Sequence, residues 1–138
     1  MSVTVTEEAW ATVAKFSGIV TEHDAQHLRA QMLARPSTKT LPVVFDLLDA
    51  DDFEVKVRAV FTDLQKHLAT NRSRSAYVSD RPVFRGLATR IVHDADDPGA
   101  RAVSTHAEAQ KWLASQESRV ATAFSGLQTM RIKLGGAR

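Results

Sequence analysis

Leu41-Pro42-Val43-Val44-Phe45-Asp46-Leu47-Leu48 is apolar on both of the faces a strand would present, broken only by Asp46. A run that cannot be sorted into a wet and a dry side suits a central strand of a parallel sheet covered on both faces. The acidic stretch Asp49 to Asp52 that follows reads as a loop. Phe53, Val57, Val60, Phe61, Leu64 and Leu68 then recur with the period of an amphipathic helix, with Asp51 or Asp52 as its cap.

Working outward, the same alternation repeats. Toward the C-terminus, Ser75 to Val78 reads as a short strand, and Ser79-Asp80-Arg81-Pro82 as a helix start with a capping side chain and an early proline. Val83, Phe84, Leu87, Ala88 and Ile91 form the inward face of that helix, and Asp94 to Gly99 a loop. Arg101 to Val103 is an edge-like strand. Thr105 and Glu108 fit a capping box for a helix burying Ala109, Trp112 and Leu113. Toward the N-terminus, Trp10 to Phe16 reads as a strand ended by Gly18, and Val3 to Val5 as its hairpin partner. Thr21 caps a helix carrying Ala25, Leu28, Met32 and Leu33, which Arg35-Pro36-Ser37 stops. Strands alternating with helices imply βαβ units, hence an α/β domain with a mixed, mostly parallel sheet.

The bulk properties bound the rest. A chain of 138 residues, 43% hydrophobic and 25% charged, suits one globular domain. It has no cysteine, which excludes disulfides, thiolate metal sites and a cysteine nucleophile. With no secretion signal and no apolar run long enough to span a bilayer, a cytoplasmic location is expected. A net charge of +2 gives no argument for nucleic acid.

Several pieces together resemble the SpoIIAA-like branch of the STAS-domain superfamily. They are Gly18-Ile19-Val20-Thr21-Glu22-His23-Asp24, Val43-Val44-Phe45-Asp46-Leu47, Ser75-Ala76-Tyr77-Val78-Ser79-Asp80 through Phe84, Arg85, Leu87 and Ala88, and Ala107-Glu108-Ala109-Gln110-Lys111-Trp112-Leu113. The resemblance covers roughly residues 8–115. It implies a bacterial, non-enzymatic domain, taken as residues 1–117; beyond it Val120, Phe124, Leu127 and Leu134 repeat at roughly helical spacing, so residues 118–138 read as a final amphipathic helical tail. The resemblance also implies regulation through a protein partner or self-association. Through the fold shared with CRAL-TRIO domains, it leaves open the alternative of a carrier or sensor of a small nonpolar ligand. Anti-sigma-factor antagonists of this kind are switched by phosphorylation of a serine at the start of the helix after the central strand. Here the comparable stretch is Phe53-Glu54-Val55-Lys56-Val57, with no hydroxyl to receive a phosphate.

Candidate sites follow from these readings. Phe53, Phe61 and Phe84 are the expected lining of an apolar pocket, should one exist, with ordinary core packing as the competing role. Val120, Phe124, Leu127 and Arg131 are the candidate contact residues of the tail, which is expected to pack on its own domain or a second copy, with peripheral membrane contact at most. Asp46 and Asp80, with Asp49, Asp51 and Asp52, invite a magnesium reading, but capping and solvation are the expected roles. His23 and His27 stand four apart without a third zinc ligand. No catalytic residue, cofactor or metal site is assigned, and nucleic acid is not an expected partner. Arg72, Arg74, Arg81, Arg85 and Arg90 are basic, but the neighbouring Tyr77 and Phe84 belong to the core.

Overall fold

A computed structural model describes residues 3–34, 42–70 and 74–114. The expected helix stop at Arg35-Pro36-Ser37, the boundary at residue 117 and the tail residues Val120, Phe124, Leu127 and Arg131 lie outside the described residues.

The elements run β1 (Val3–Glu7), β2 (Thr12–Val20), α1 (Glu22–Leu33), β3 (Val43–Phe53), α2 (Val57–Thr70), β4 (Ser75–Val78), α3 (Pro82–Ala95), β5 (Ala100–Val103), then α4 over residues 106–114. They build one five-stranded sheet in the order β1-β2-β3-β4-β5. β1 pairs antiparallel with β2 as a hairpin, closed by the Glu8 amide donating to the Ala11 carbonyl at 2.8 Å. β2, β3, β4 and β5 are mutually parallel, and β3 lies in the middle, as its two-sided apolar run requires.

The strand order never doubles back. Right-handed crossovers between successive neighbours therefore deliver α1, α2 and α3 to the same face. There the main core forms. Phe61 of α2 meets Phe16 edge-on at 5.6 Å between ring centres and lies 6.0 Å from Phe45, which stacks on Tyr77 at 4.4 Å. Ala25, Leu28 and Met32 of α1 and Phe84, Ala88 and Ile91 of α3 fill the flanks. The second face is covered by α4, whose Ala109 and Leu113 pack on Val44, Ala76, Val78 and Val103, with Trp10 and Trp112 beside them.

Several expectations are corrected. Asp49 to Asp52 is not a loop but the second half of β3: β2 continues far enough to pair Ser17 with Asp49, Gly18 with Ala50, Ile19 with Asp52 and Val20 with Phe53. The carboxylates point outward while Ala50 is fully buried, so backbone pairing overrides the low strand propensity of aspartate. Gly18 does not end β2. It takes φ +68°, a value glycine adopts without strain, at a register shift where the strand kinks and goes on. Consequently Phe53 closes a strand rather than opening a helix, and α2 begins at Val57. Asp52 does not cap it; its carboxylate accepts from the adjacent Phe53 amide. In α3 the cap position is Arg81, with no side-chain cap, and Pro82 follows as expected. Ser79 instead accepts from the Arg81 amide in the turn before. α3 also runs on to Ala95, and Asp96 terminates it in the left-handed region at φ 54°. Val83 and Leu33, assigned to inward faces, are exposed.

Candidate interaction surface at the C-terminal edge of the sheet

The C-terminal ends of the parallel strands and the N-termini of the helices that follow them form one edge. Its framework is tied together by local hydrogen bonds. Thr21 and Asp24 make a reciprocal capping box at the start of α1: the Asp24 amide donates to the Thr21 hydroxyl at 3.1 Å, and the Thr21 amide to the Asp24 carboxylate at 3.2 Å. The turn from β3 into α2 is anchored twice. The Glu54 amide donates to the Val20 carbonyl at 2.9 Å. The Glu54 carboxylate accepts from the Glu22 amide at 2.7 Å, in the first turn of α1, where a negative charge is favoured. On the other side, Arg81 donates to the Asp51 carbonyl at 3.3 Å and lies over the Phe84 ring, which meets Phe53 edge-on at 4.8 Å.

Three large aliphatic side chains stand on this framework without cover. Ile19 near the end of β2 is 60% exposed, Val55 in the β3–α2 turn 94%, and Val83 in the first turn of α3 78%. Single exposed apolar residues are ordinary, but three on neighbouring segments of one edge, above a braced turn, are the pattern of a contact surface.

Behind this edge the sheet opens between β4 and β5, because α3 leaves to one face and α4 to the other, the kind of divergence at which open α/β sheets usually hold a ligand. Beside it stands one polar pair. Asp46, 5% exposed, points to the α4 face, accepts from the Leu48 amide at 3.0 Å and meets His106 Nε2, at the start of α4, at 2.8 Å. His106 remains partly exposed. Asp80 is exposed, and His23 and His27 are both exposed on α1. Among the described residues, no group of three or more His, Asp or Glu side chains is arranged to hold a metal ion.

The opposite end of the sheet carries a buried polar cluster. Tyr77 donates to Gln65 Oε1 at 2.7 Å, while Gln65 Nε2 reaches Ser75 at 3.1 Å and Asp97 at 2.7 Å. Asp97 also accepts from the Gly99 amide at 2.9 Å. Burial first, and the nearby Asp97 charge second, push the Tyr77 hydroxyl well above the ordinary phenol range, so it stays a donor. These groups are mutually satisfied and present no reactive atom to solvent.

Of the ring residues read as pocket lining, the structure joins Phe53 to Phe84 and puts Phe61 between Phe16 and Phe45 in the main core. Two surface clefts draw their linings from elsewhere. One, of about 320 Å³, lies between α1 and α2 among Glu22, Arg29, Lys56 and Asp63; the other, of about 490 Å³, lies between β5 and α4. Tyr77 and Phe84 are buried, so the arginines near them have no aromatic platform for a base to stack on. Sequence reasoning missed the Asp46–His106 pair and the Gln65 cluster. A carboxylate inside an apolar strand and a glutamine on a buried helix stripe were the available signals.

No protein-family model matches the sequence, and no curated protein matches it. Solved structures do resemble it. An anti-sigma factor antagonist from Mycobacterium paratuberculosis superposes with a TM-score of 0.61 at 17% identity, over 81% of this chain and 92% of that one. SpoIIAA in its unphosphorylated form gives 0.59 at 13% identity, over 85% and 97%. An uncharacterized DUF3478-family protein from Shewanella loihica, described as having a SpoIIAA-like fold, gives 0.57 at 16% identity, over 80% and 91%. At these identities the likeness speaks for architecture alone: this chain is a single mixed α/β domain with a SpoIIAA-like fold.

Proposed function

We propose that the protein is a non-enzymatic regulatory domain that acts by docking a protein partner on the C-terminal edge of its sheet. The observation that carries this reading is the trio Ile19, Val55 and Val83, exposed on neighbouring segments of one edge, around a turn braced by Glu54 and Arg81. An apolar centre on a pre-ordered frame is what a partner surface needs, since little conformational freedom is lost on binding. The anti-sigma-factor antagonists among the structural neighbours lend the reading a precedent of fold, not of sequence.

The partner contact is constitutive rather than phosphorylation-gated. The turn reads Phe53-Glu54-Val55-Lys56-Val57, with no hydroxyl, and its one carboxylate is already engaged by α1. The nonpolar-carrier alternative draws no support from the ring placement, since Phe61 is enclosed by other rings of the core.

The test is affinity capture with the full chain and with the Val55→Asp/Val83→Asp double variant. The expected result is a partner retained by the wild type and lost by the folded variant; identical captured sets would reject the edge. Native mass spectrometry of the purified chain addresses the carrier separately, because a lipid-sized adduct would favour it.

A further inference from the structure

The second cleft lies at a different place, along the outer margin of β5. Among the described residues β5 is the last strand of the sheet, with β4 on one side only. The carbonyls of Gly99 and Val103 turn inward to the amides of Ser75 and Ser79. By strand alternation, the amide and carbonyl of Ala102 face the open side, where no described residue pairs with them. α4 overhangs this margin and makes the wall of the cleft of about 490 Å³.

The wall is cationic. Arg101 projects from β5 toward α4 and sits over the Trp112 ring at 5.2 Å, and Lys111 stands beside it. Glu108, the acidic residue of the lining, does not offset them freely, because its carboxylate is held by the amides of Ser104 at 2.8 Å and Thr105 at 3.2 Å. Trp112 also buries its indole N–H without an acceptor among the described residues.

We infer that the β5 margin is a second docking surface, one that takes an extended acidic segment of another protein by strand addition. Main-chain pairing to Ala102 supplies the register, and Arg101 and Lys111 select for carboxylates on the segment. Charge decides between occupants. A second copy would bring the same Arg101 and Lys111 to face these residues, and the segment from Ser118 to Arg138 carries basic residues and no acid. An acidic strand is the complementary partner.

The experiment uses the full chain and fluorescence anisotropy with two labelled probes, a short peptide alternating glutamate and valine and one alternating lysine and valine. The glutamate peptide should bind and the lysine peptide should not. Lys111→Glu and Arg101→Glu should each weaken binding about tenfold. Ala102→Pro, which removes the outward amide, should abolish it. Should Ala102→Pro fail to fold by circular dichroism, the exposed Lys111→Glu decides alone. Equal binding of the two peptides, no binding of the glutamate peptide, or binding indifferent to Lys111→Glu overturns the inference. So does a dimer of the free chain that excludes the glutamate peptide, which would give the margin to a second copy. The Val55→Asp/Val83→Asp variant should bind the glutamate peptide normally, which keeps this surface distinct from the proposed partner edge.

Discussion

The two ends of the sheet treat polar groups in opposite ways. At the N-terminal end, Gln65, Ser75, Tyr77 and Asp97 are buried and satisfy one another. At the C-terminal end, polar groups brace turns at the surface while aliphatic side chains face water. The first arrangement fixes α2 over β4 and the approach to β5 in one register, since a buried polar group without its partner is costly. The second gives up some burial to leave apolar area available for contact. The contrast separates the end that holds the fold from the end that has something to offer.

That contrast can be broken by mutation. Gln65→Leu should have the largest effect. It leaves the Tyr77 hydroxyl, the Ser75 hydroxyl and one oxygen of Asp97 buried without their partner, at a cost of about 3 kcal/mol or more by urea unfolding. A loss under about 1 kcal/mol would mean that the cluster does not hold that end together.

The next effect appears only at alkaline pH. Tyr77 is the sole tyrosine, and its folded-state pKa is raised. Its contribution to stability is complete below the unfolded phenol value of about 10 and declines as pH rises beyond it, because the unfolded chain ionises first. The slope attributable to this group approaches about 1.4 kcal/mol per pH unit. It should vanish in Tyr77→Phe, and the phenolate absorbance of the native chain should stay low until the protein unfolds.

Asp46→Ala stands third. It removes the His106 contact and the acceptor of the Leu48 amide, with an expected loss of about 1–2 kcal/mol. The figure is discounted because His106 is partly exposed and screened by water. Smallest is Val55→Asp/Val83→Asp, which should change stability by no more than about 0.5 kcal/mol per site by the same assay. A large loss there would show that these side chains pack in solution, and the distinction between the ends would fall.

Much of the fold was legible because its periodicities are clean. Val57, Val60, Phe61, Leu64 and Leu68 mark one face of α2, and all are buried. The two-sided run at Val43 to Leu48 marks the centre of the sheet, and Thr21 and Thr105 cap the helices they were read as capping. The errors share a cause. Asp49 to Asp52 and Gly18 look like breakers locally, but each is held in the strand by pairing with the other segment, a long-range fact that no local window contains. Val83 follows the helical stripe of α3 yet lies in its first turn, beyond the sheet that would have covered it. The candidate surface was less legible still. Nothing in the residues Ile19, Val55 and Val83 distinguishes them from core aliphatics until the topology brings them to one edge.

The unbroken strand order also bears on how the chain reaches this state. Each described strand after β1 finds its sheet partner in the strand immediately before it along the chain, across a single hairpin or one helical crossover. Closure entropy is thus met in short instalments rather than one long search. The domain can therefore be laid down in the direction of synthesis, each new strand pairing on a template already formed, with β5 the last of the described strands to arrive.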